Sequence, residues 1–232
     1  MASKSLHARI LTKEEMYSLI GGLSVLATRS QIGLQKLAFF RVCACCGVRA
    51  SEIAGMTVQD VIPFGPSPEL DLPSTITKGG VRRSVPLTWD SGTRDDITRW
   101  WNHRKDAGRN APFFHSVYRP DLPISRQTVY NWWKKIIRNL GAERSRQIGG
   151  PHSGRHTFCT HALAGGRSLG EVRDAAGHAS IETTNIYVHA MPTRHNRDLW
   201  KRPPLQKIYE DEDQKNEEYY KLKRRFLTSK RF

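Results

Sequence analysis

Apolar residues recur at Met16, Leu19, Ile20, Leu23 and Leu26, the three-and-four spacing of one helix face. Just ahead stands Thr12-Lys13-Glu14-Glu15. A hydroxyl followed three residues later by a carboxylate predicts a capping box at the mouth of that helix. A second helix is predicted from Gln31 to Cys46, stopped by Gly47, with a short helical piece through Glu52 and Ile53 beyond it. The texture then changes. Val58 to Ile62, Leu70 to Thr77 and Val81 to Leu87 are β-prone runs broken by Pro63, Gly65, Pro66 and the Gly79-Gly80 pair. They predict a small antiparallel sheet with Lys78 at the lip of its second turn. Helical spacing resumes over about Asp90–Arg104, Arg126–Leu140, His152–Ala164 and Leu169–Ala176, and again after Ser180 to near Pro192. From Thr193 the apolar period fades into charge, acidic around Glu210–Asp213 and basic around Lys221–Arg225, with room for one amphipathic helix over Tyr219–Leu227. The expected fold class is α+β, mainly α, a helical domain with a small three-stranded antiparallel sheet on one side. It divides into a lead of residues 1–11, a domain of 12–192 and a charged tail of 193–232.

Composition adds a partner. The 232 residues, 38% hydrophobic, suffice for one packed domain with a tail. Lys and Arg number 37 against 22 Asp and Glu, a net charge of +15. Each cation that neutralises a phosphate releases counterions, so nucleic acid is the leading partner and a merely solvated basic surface the alternative. No segment combines a charged start, an apolar run and a small-residue cleavage site, and none approaches the length of a membrane span. A soluble, cytoplasmic, nucleoid-associated protein is expected. Cys43, Cys45 and Cys46 lack the paired C-x-x-C spacing of a zinc site. With Cys159 they read as small buried residues of a reducing compartment, and no metal site is expected. In each of the pairs Trp100-Trp101 and Trp132-Trp133, one member is expected in the core.

The chemistry is concentrated in Pro151-His152-Ser153-Gly154-Arg155-His156. Proline is pre-set for a first helical turn, which puts His152 and Arg155 three apart on one face. An imidazole and a guanidinium at a helix N-terminus make a site for an anionic oxygen with a proton-transfer group beside it. Alone the spacing is weak. It is joined by Gly177-His178-Ala179-Ser180, Thr183-Thr184-Asn185-Ile186-Tyr187, Cys46-Gly47-Val48-Arg49-Ala50-Ser51-Glu52 and Thr77-Lys78-Gly79-Gly80. In this order and at these separations, over about Thr12 to Pro192, the set resembles the tyrosine recombinase (phage integrase) family.

The resemblance implies a site-specific DNA recombinase that cleaves and rejoins DNA through a 3′-phosphotyrosine. Tyr187 matches the nucleophile, and Arg49 and Arg155 the two catalytic arginines. Paired guanidinium forks suit a phosphodiester whose oxygens gain charge in the transition state. Lys78 matches the general acid for the departing 5′ oxygen, His152 a position that shares proton transfer, and His178 a hydrogen-bond donor to the phosphate. Glu52 matches an acidic position that orients the cations, a supporting role. Neither metal nor cofactor is implied. The implied partners are double-stranded DNA with specific recombination sites, a homotetramer on DNA from monomers in solution, and accessory DNA-bending proteins, with no membrane.

Two departures accompany the match. Gly154 stands where the family commonly has an apolar residue, and glycine is expected to loosen a helix by about 1 kcal/mol relative to alanine. Ala176 stands where leucine is frequent. Family members usually carry a helical DNA-binding domain ahead of the catalytic one, whereas eleven residues precede the first helix here. A naturally minimal recombinase and a fragment are both open. Rival readings are a type IB topoisomerase, a non-catalytic DNA-binding relative, and an unrelated basic RNA-binding protein, for which no aromatic strand motif speaks.

Overall fold

The structure is a computed structural model and describes residues 9–180 and 182–187. Helix α1 (Lys13–Arg29) begins as the sequence predicts: Glu15 N–H donates to Thr12 Oγ1, and Thr12 N–H donates to the Glu15 carboxylate at 2.8 Å. Its apolar stripe of Met16, Leu19, Ile20 and Leu23 is buried and packs on α2 (Gln31–Phe40). The two helices come close because Gly33 has no side chain; a Cβ there would lie 2.2 Å from the Leu26 carbonyl oxygen.

The predicted helix to Cys46 does not run regularly. From Arg41 to Cys45 it widens into a π-turn, a one-residue insertion that re-aims the chain leaving a helix. The turn is anchored by the fully buried Arg41, whose Nη2 lies 2.9 Å from Asp96 and whose Nη1 lies 3.4 Å from Asp90. A buried cation persists only when paired in this way. Asp90 caps α4 (Ser91–Arg104) and Asp96 sits within it, so the π-turn is bolted to that helix. Gly47 then turns the chain at φ +63°, and a Cβ on it would fall 2.4 Å from the Phe158 ring. Helix α3 (Ala50–Gly55) starts directly after, with Arg49 at its N-cap.

Strands β1 (Val61–Ile62), β2 (Glu69–Leu72) and β3 (Arg83–Pro86) form an antiparallel sheet in the order β1-β2-β3, with Leu70 opposite Val85. Alternation turns Leu70, Leu72 and Val85 inward. The strands are shorter than the β-prone runs predict. Residues 58–60 form a 3-10 turn, and 73–82 fold back on themselves. Thr77 Oγ1 donates to the Val81 carbonyl at 2.8 Å, a local bond that competes with strand pairing. Lys78 is therefore exposed on a projecting turn, followed by Gly79 and Gly80 at positive φ.

Five helices complete the described chain: α5 (Arg126–Ile137), α6 (Ala142–Ile148), α7 (His152–Ala164), α8 (Leu169–Ala176) and α9 (Glu182–Asn185). The sequence reading misses α6, in which Ile148 alone is buried, so no apolar period marks it. Trp100 and Trp133 are in the core as expected, but Trp132 joins them at 9% exposure, edge-on to Phe39. The four cysteines are buried and free. Helix α7 runs through the centre with every residue from Ser153 to Ala164 buried. It passes so close to the π-turn that a Cβ on Gly154 would lie 2.8 Å from the Cys43 carbonyl oxygen. The glycine expected to loosen this helix is what lets it dock. No helix among the described residues is long and apolar enough to cross a membrane. The predicted tail lies outside the described residues.

Candidate active site

The N-terminus of α3 with the residues just before it, the projecting β2–β3 turn and the N-termini of α5 and α7 enclose a cleft of about 190 Å³. Arg49, Lys78, His152 and Arg155 line it, with Ser51, Arg126, Tyr130 and Pro151. Four of the predicted site residues thus meet, and among the described residues no carboxylate lines the space.

Arg49 is aimed by two bonds, from Nη1 to Glu52 Oε1 at 3.0 Å and from Nη2 to the Gly177 carbonyl at 2.9 Å. Glu52 is fully buried and also accepts the Arg49 backbone N–H at 2.8 Å. Its second cation is Arg83, which donates from Nη1 and Nη2 to the two carboxylate oxygens at 2.7 and 2.8 Å. Burial alone would raise the Glu52 pKa; Arg83 and then Arg49 overcome it and hold the carboxyl below its usual value. The sequence reading missed Arg83. The available signal is an arginine on the inward phase of a short alternating strand, which demands a buried anion.

Arg155 is 1% exposed. Its guanidinium donates to the Gly47 carbonyl at 3.0 Å and to the Ala176 carbonyl, while Nε–H faces His178 Nε2 at 3.3 Å. Burial and then Arg49 lower its pKa to about 10, so it remains cationic at neutral pH. His178 uses its other nitrogen, Nδ1, on Thr184 Oγ1 at 2.8 Å. Since Nε2 accepts from Arg155, the ring proton belongs on Nδ1. Burial, followed by Arg155 and Arg49, pushes His178 down to about 4. His178 stands one layer behind the cleft. His152, exposed at the start of α7, also has a lowered pKa, from desolvation first and then from Arg155, Arg49, Arg9 and Lys78.

Tyr187 is placed differently. It comes after α9 rather than lying on it, with its N–H donating to the Thr184 carbonyl at 3.1 Å. The phenol is 2% exposed, stacked on His178 with ring centroids 6.1 Å apart, and its Oη is 2.7 Å from Nδ1 of His156. It does not line the cleft. Burial pushes the phenol pKa well above its ordinary value. His156, given no role by the sequence reading, is lowered to about 4 by burial, then by His152, Arg9 and Arg155. It is therefore neutral at pH 7, and its Nδ1 shares a single hydrogen bond with the phenol hydroxyl. Together these groups form a preorganised cationic socket for an oxyanion, with proton-transfer groups at its rim and a phenol close behind.

Residues 9–194 match the pattern of the phage integrase family. A tyrosine recombinase XerD from Halalkalibacterium halodurans is 28% identical over 187 residues, 80% of this chain and 58% of that protein. A tyrosine recombinase XerC from Pelobacter propionicus is 31% identical over 157 residues, 68% of this chain and 48% of that protein. The chain thus spans about half the length of these curated relatives. The solved structure of XerH recombinase bound to difH substrate shares the fold at a TM-score of 0.62 and 21% identity, covering 78% of this chain and 50% of that one. XerA recombinase does so at 0.57 and 22%, covering 89% and 66%. The match extends from ahead of α1 to beyond Tyr187, and on it the chain belongs to the phage integrase family of tyrosine recombinases.

Proposed function

We propose that this chain cleaves and rejoins DNA at specific sites, with Tyr187 attacking phosphorus to form a 3′-phosphotyrosine and expel a 5′ hydroxyl. The observation that carries the reading is the cleft itself, where Arg49, Arg155, Lys78 and His152 converge on one space with no carboxylate lining it among the described residues. A phosphodiester brought there finds its growing negative charge opposed by two guanidiniums, one fixed by Glu52 and one by backbone carbonyls. Lys78, on the exposed turn, is free to track the leaving oxygen and protonate it. His152, at the start of α7, shares the proton traffic, and His178 backs Arg155. Storing the bond energy on the tyrosine lets the second DNA end be joined without a nucleotide cofactor. The net charge of +15 and the relatives solved on DNA substrates support the choice of DNA. Assembly of four copies on paired sites, from monomers in solution and with help from DNA-bending proteins, belongs to the same proposal, as do cytoplasmic location and a catalytic unit of residues 12–192.

The test uses a pool of nicked duplexes of randomised sequence, from which SDS-resistant protein–DNA adducts are captured and sequenced. Wild type yields adducts and Tyr187→Phe yields none. Adducts from the Phe variant refute the nucleophile, and their absence from wild type refutes cleavage by this chain. A plasmid bearing two captured sites separates strand exchange from the supercoil relaxation of a topoisomerase.

A further inference from the structure

The nucleophile and the cleft it serves are not joined in this structure. Tyr187 is 2% exposed and is absent from the walls of the cleft that holds Arg49, Lys78, His152 and Arg155. Its hydroxyl ends on His156 Nδ1 at 2.7 Å. That imidazole, 9% exposed, faces a second cavity of about 280 Å³ lined by Arg9, Arg146, Gln147, His152 and Ser153. His156 and Arg155 are neighbours on α7, so they leave the helix about 100° apart. One serves the cleft and the other holds the phenol away from it.

We propose that His156 is a positioning residue that keeps Tyr187 out of the cleft until DNA is in place. The proposal rests on the reading of Tyr187 as nucleophile. In this proposal the neutral imidazole takes the tautomer that leaves Nδ1 unprotonated and accepts the phenol O–H, and the buried pair leaves the hydroxyl no other partner among the described residues. Attack requires that this bond break and that the segment after α9 swing the oxygen toward Arg155. A second tether lies on the same segment, the 2.8 Å bond between His178 Nδ1 and Thr184 Oγ1. His178 in turn receives Arg155 Nε–H. A phosphate that draws Arg155 toward itself loosens the second tether, so loading the cleft and freeing the tyrosine are linked through Arg155, His178 and Thr184.

The experiment compares wild type, His156→Ala and His156→Asn. The Asn carboxamide oxygen reaches the place of the histidine Nδ1 and keeps an acceptor there, whereas Ala removes it. In DNA-free protein, acetylation of tyrosines by N-acetylimidazole is read by peptide mass spectrometry. The partly buried Tyr17 serves as the internal control for general loosening. Loss of one hydrogen bond predicts Tyr187 acetylation faster by roughly fivefold in His156→Ala, with Tyr17 unchanged and His156→Asn near wild type. Single-turnover adduct formation on a captured nicked duplex should be as fast as wild type or faster in His156→Ala. Unchanged Tyr187 acetylation in His156→Ala, or equal acceleration in the Asn variant, overturns the proposal. So does a tenfold or greater loss of adduct rate in His156→Ala, which would assign the imidazole to the chemical step. Failure of the nucleophile reading is separate: it shows as adducts from Tyr187→Phe, whatever the acetylation result.

Discussion

Arg83 grips Glu52 with both arms of its guanidinium, at 2.7 and 2.8 Å, and so closes a buried triad in which one carboxylate serves two arginines. Glu52 is fully buried and Arg83 is 9% exposed, which makes the pair expensive to break from either side. Glu52→Gln should destabilise the fold by about 3–5 kcal/mol in urea titrations, because it leaves Arg83 buried without its anion, whereas Arg83→Met should cost less, since Glu52 keeps Arg49 as a partner. The double variant should recover part of that loss. Single variants within about 1 kcal/mol of wild type would show that the triad is slack. Glu52→Gln should also slow adduct formation, since Arg49 loses the carboxylate that orients it.

Gly154 sets two effects in opposition. Helix propensity favours Gly154→Ala by about 1 kcal/mol. Packing opposes it, since the new methyl would sit 2.8 Å from the Cys43 carbonyl oxygen and 2.9 Å from its Sγ. A backbone oxygen in the π-turn cannot step aside cheaply, and overpacking of this kind costs about 1–3 kcal/mol. Packing should win, with a lower urea midpoint for the variant. A rise in stability by the propensity value would sink the close-approach account of α7.

Acid should weaken the protein through its imidazoles. His156 and His178 titrate near 4 in the folded chain, below their ordinary value. The unfolded chain therefore binds protons first, and the stability these groups contribute is full above about pH 6.5 and is lost as pH falls toward 4. Thermal unfolding monitored from pH 7.5 to 4.5 should show Tm falling across that window. His156→Asn, with one fewer titrating group, should show a shallower fall of up to about 1.4 kcal/mol less per pH unit. Identical slopes for variant and wild type would place the acid sensitivity elsewhere.

Arg126 and Tyr130 line the cleft beside the predicted residues. Both stand exposed on α5 one turn apart, and Arg126 is a cation with open access to a DNA backbone. Removing one phosphate contact should flatten the dependence of log Kd on log salt by about one unit. A fluorescent non-specific duplex titrated with Arg126→Ala at several KCl concentrations measures it. An unchanged slope would take Arg126 off the DNA path.

Most of the charged constellation is legible in the sequence alone. Arg49, Lys78, His152 and Arg155 belong to short motifs whose order carries the signal, and the cleft gathers all four. The helices are legible where one face is apolar, as in α1, and even in α7, buried from Ser153 to Ala164, whose ends are marked by Pro151 and Gly165. The features that escape a sequence reading depend on partners distant along the chain. The Glu52–Arg83 and His156–Tyr187 contacts each span 31 residues, and nothing local announces them. The predicted strands are overlong because Thr77 closes a turn on itself. The role of Gly154 is invisible without the carbonyl it faces.

The widened turn at Arg41–Cys45 has a consequence for how this chain tolerates change in length. Each residue of a regular helix advances the next by about 100° and 1.5 Å. Deleting a single residue between Arg41 and Cys45 would let the helix close into its ordinary pitch, with most backbone bonds preserved and the apolar content hardly altered. Everything downstream would then leave the helix in a new direction, and Gly47 would lose its place beneath Phe158. The Gly47 carbonyl that holds Arg155 and the Arg49 side chain would be redirected together. One extra residue in a helix thus acts as the phase setting of the whole catalytic face. A substitution there disturbs the packing or pairing of one side chain, whereas an insertion or deletion re-aims everything that follows.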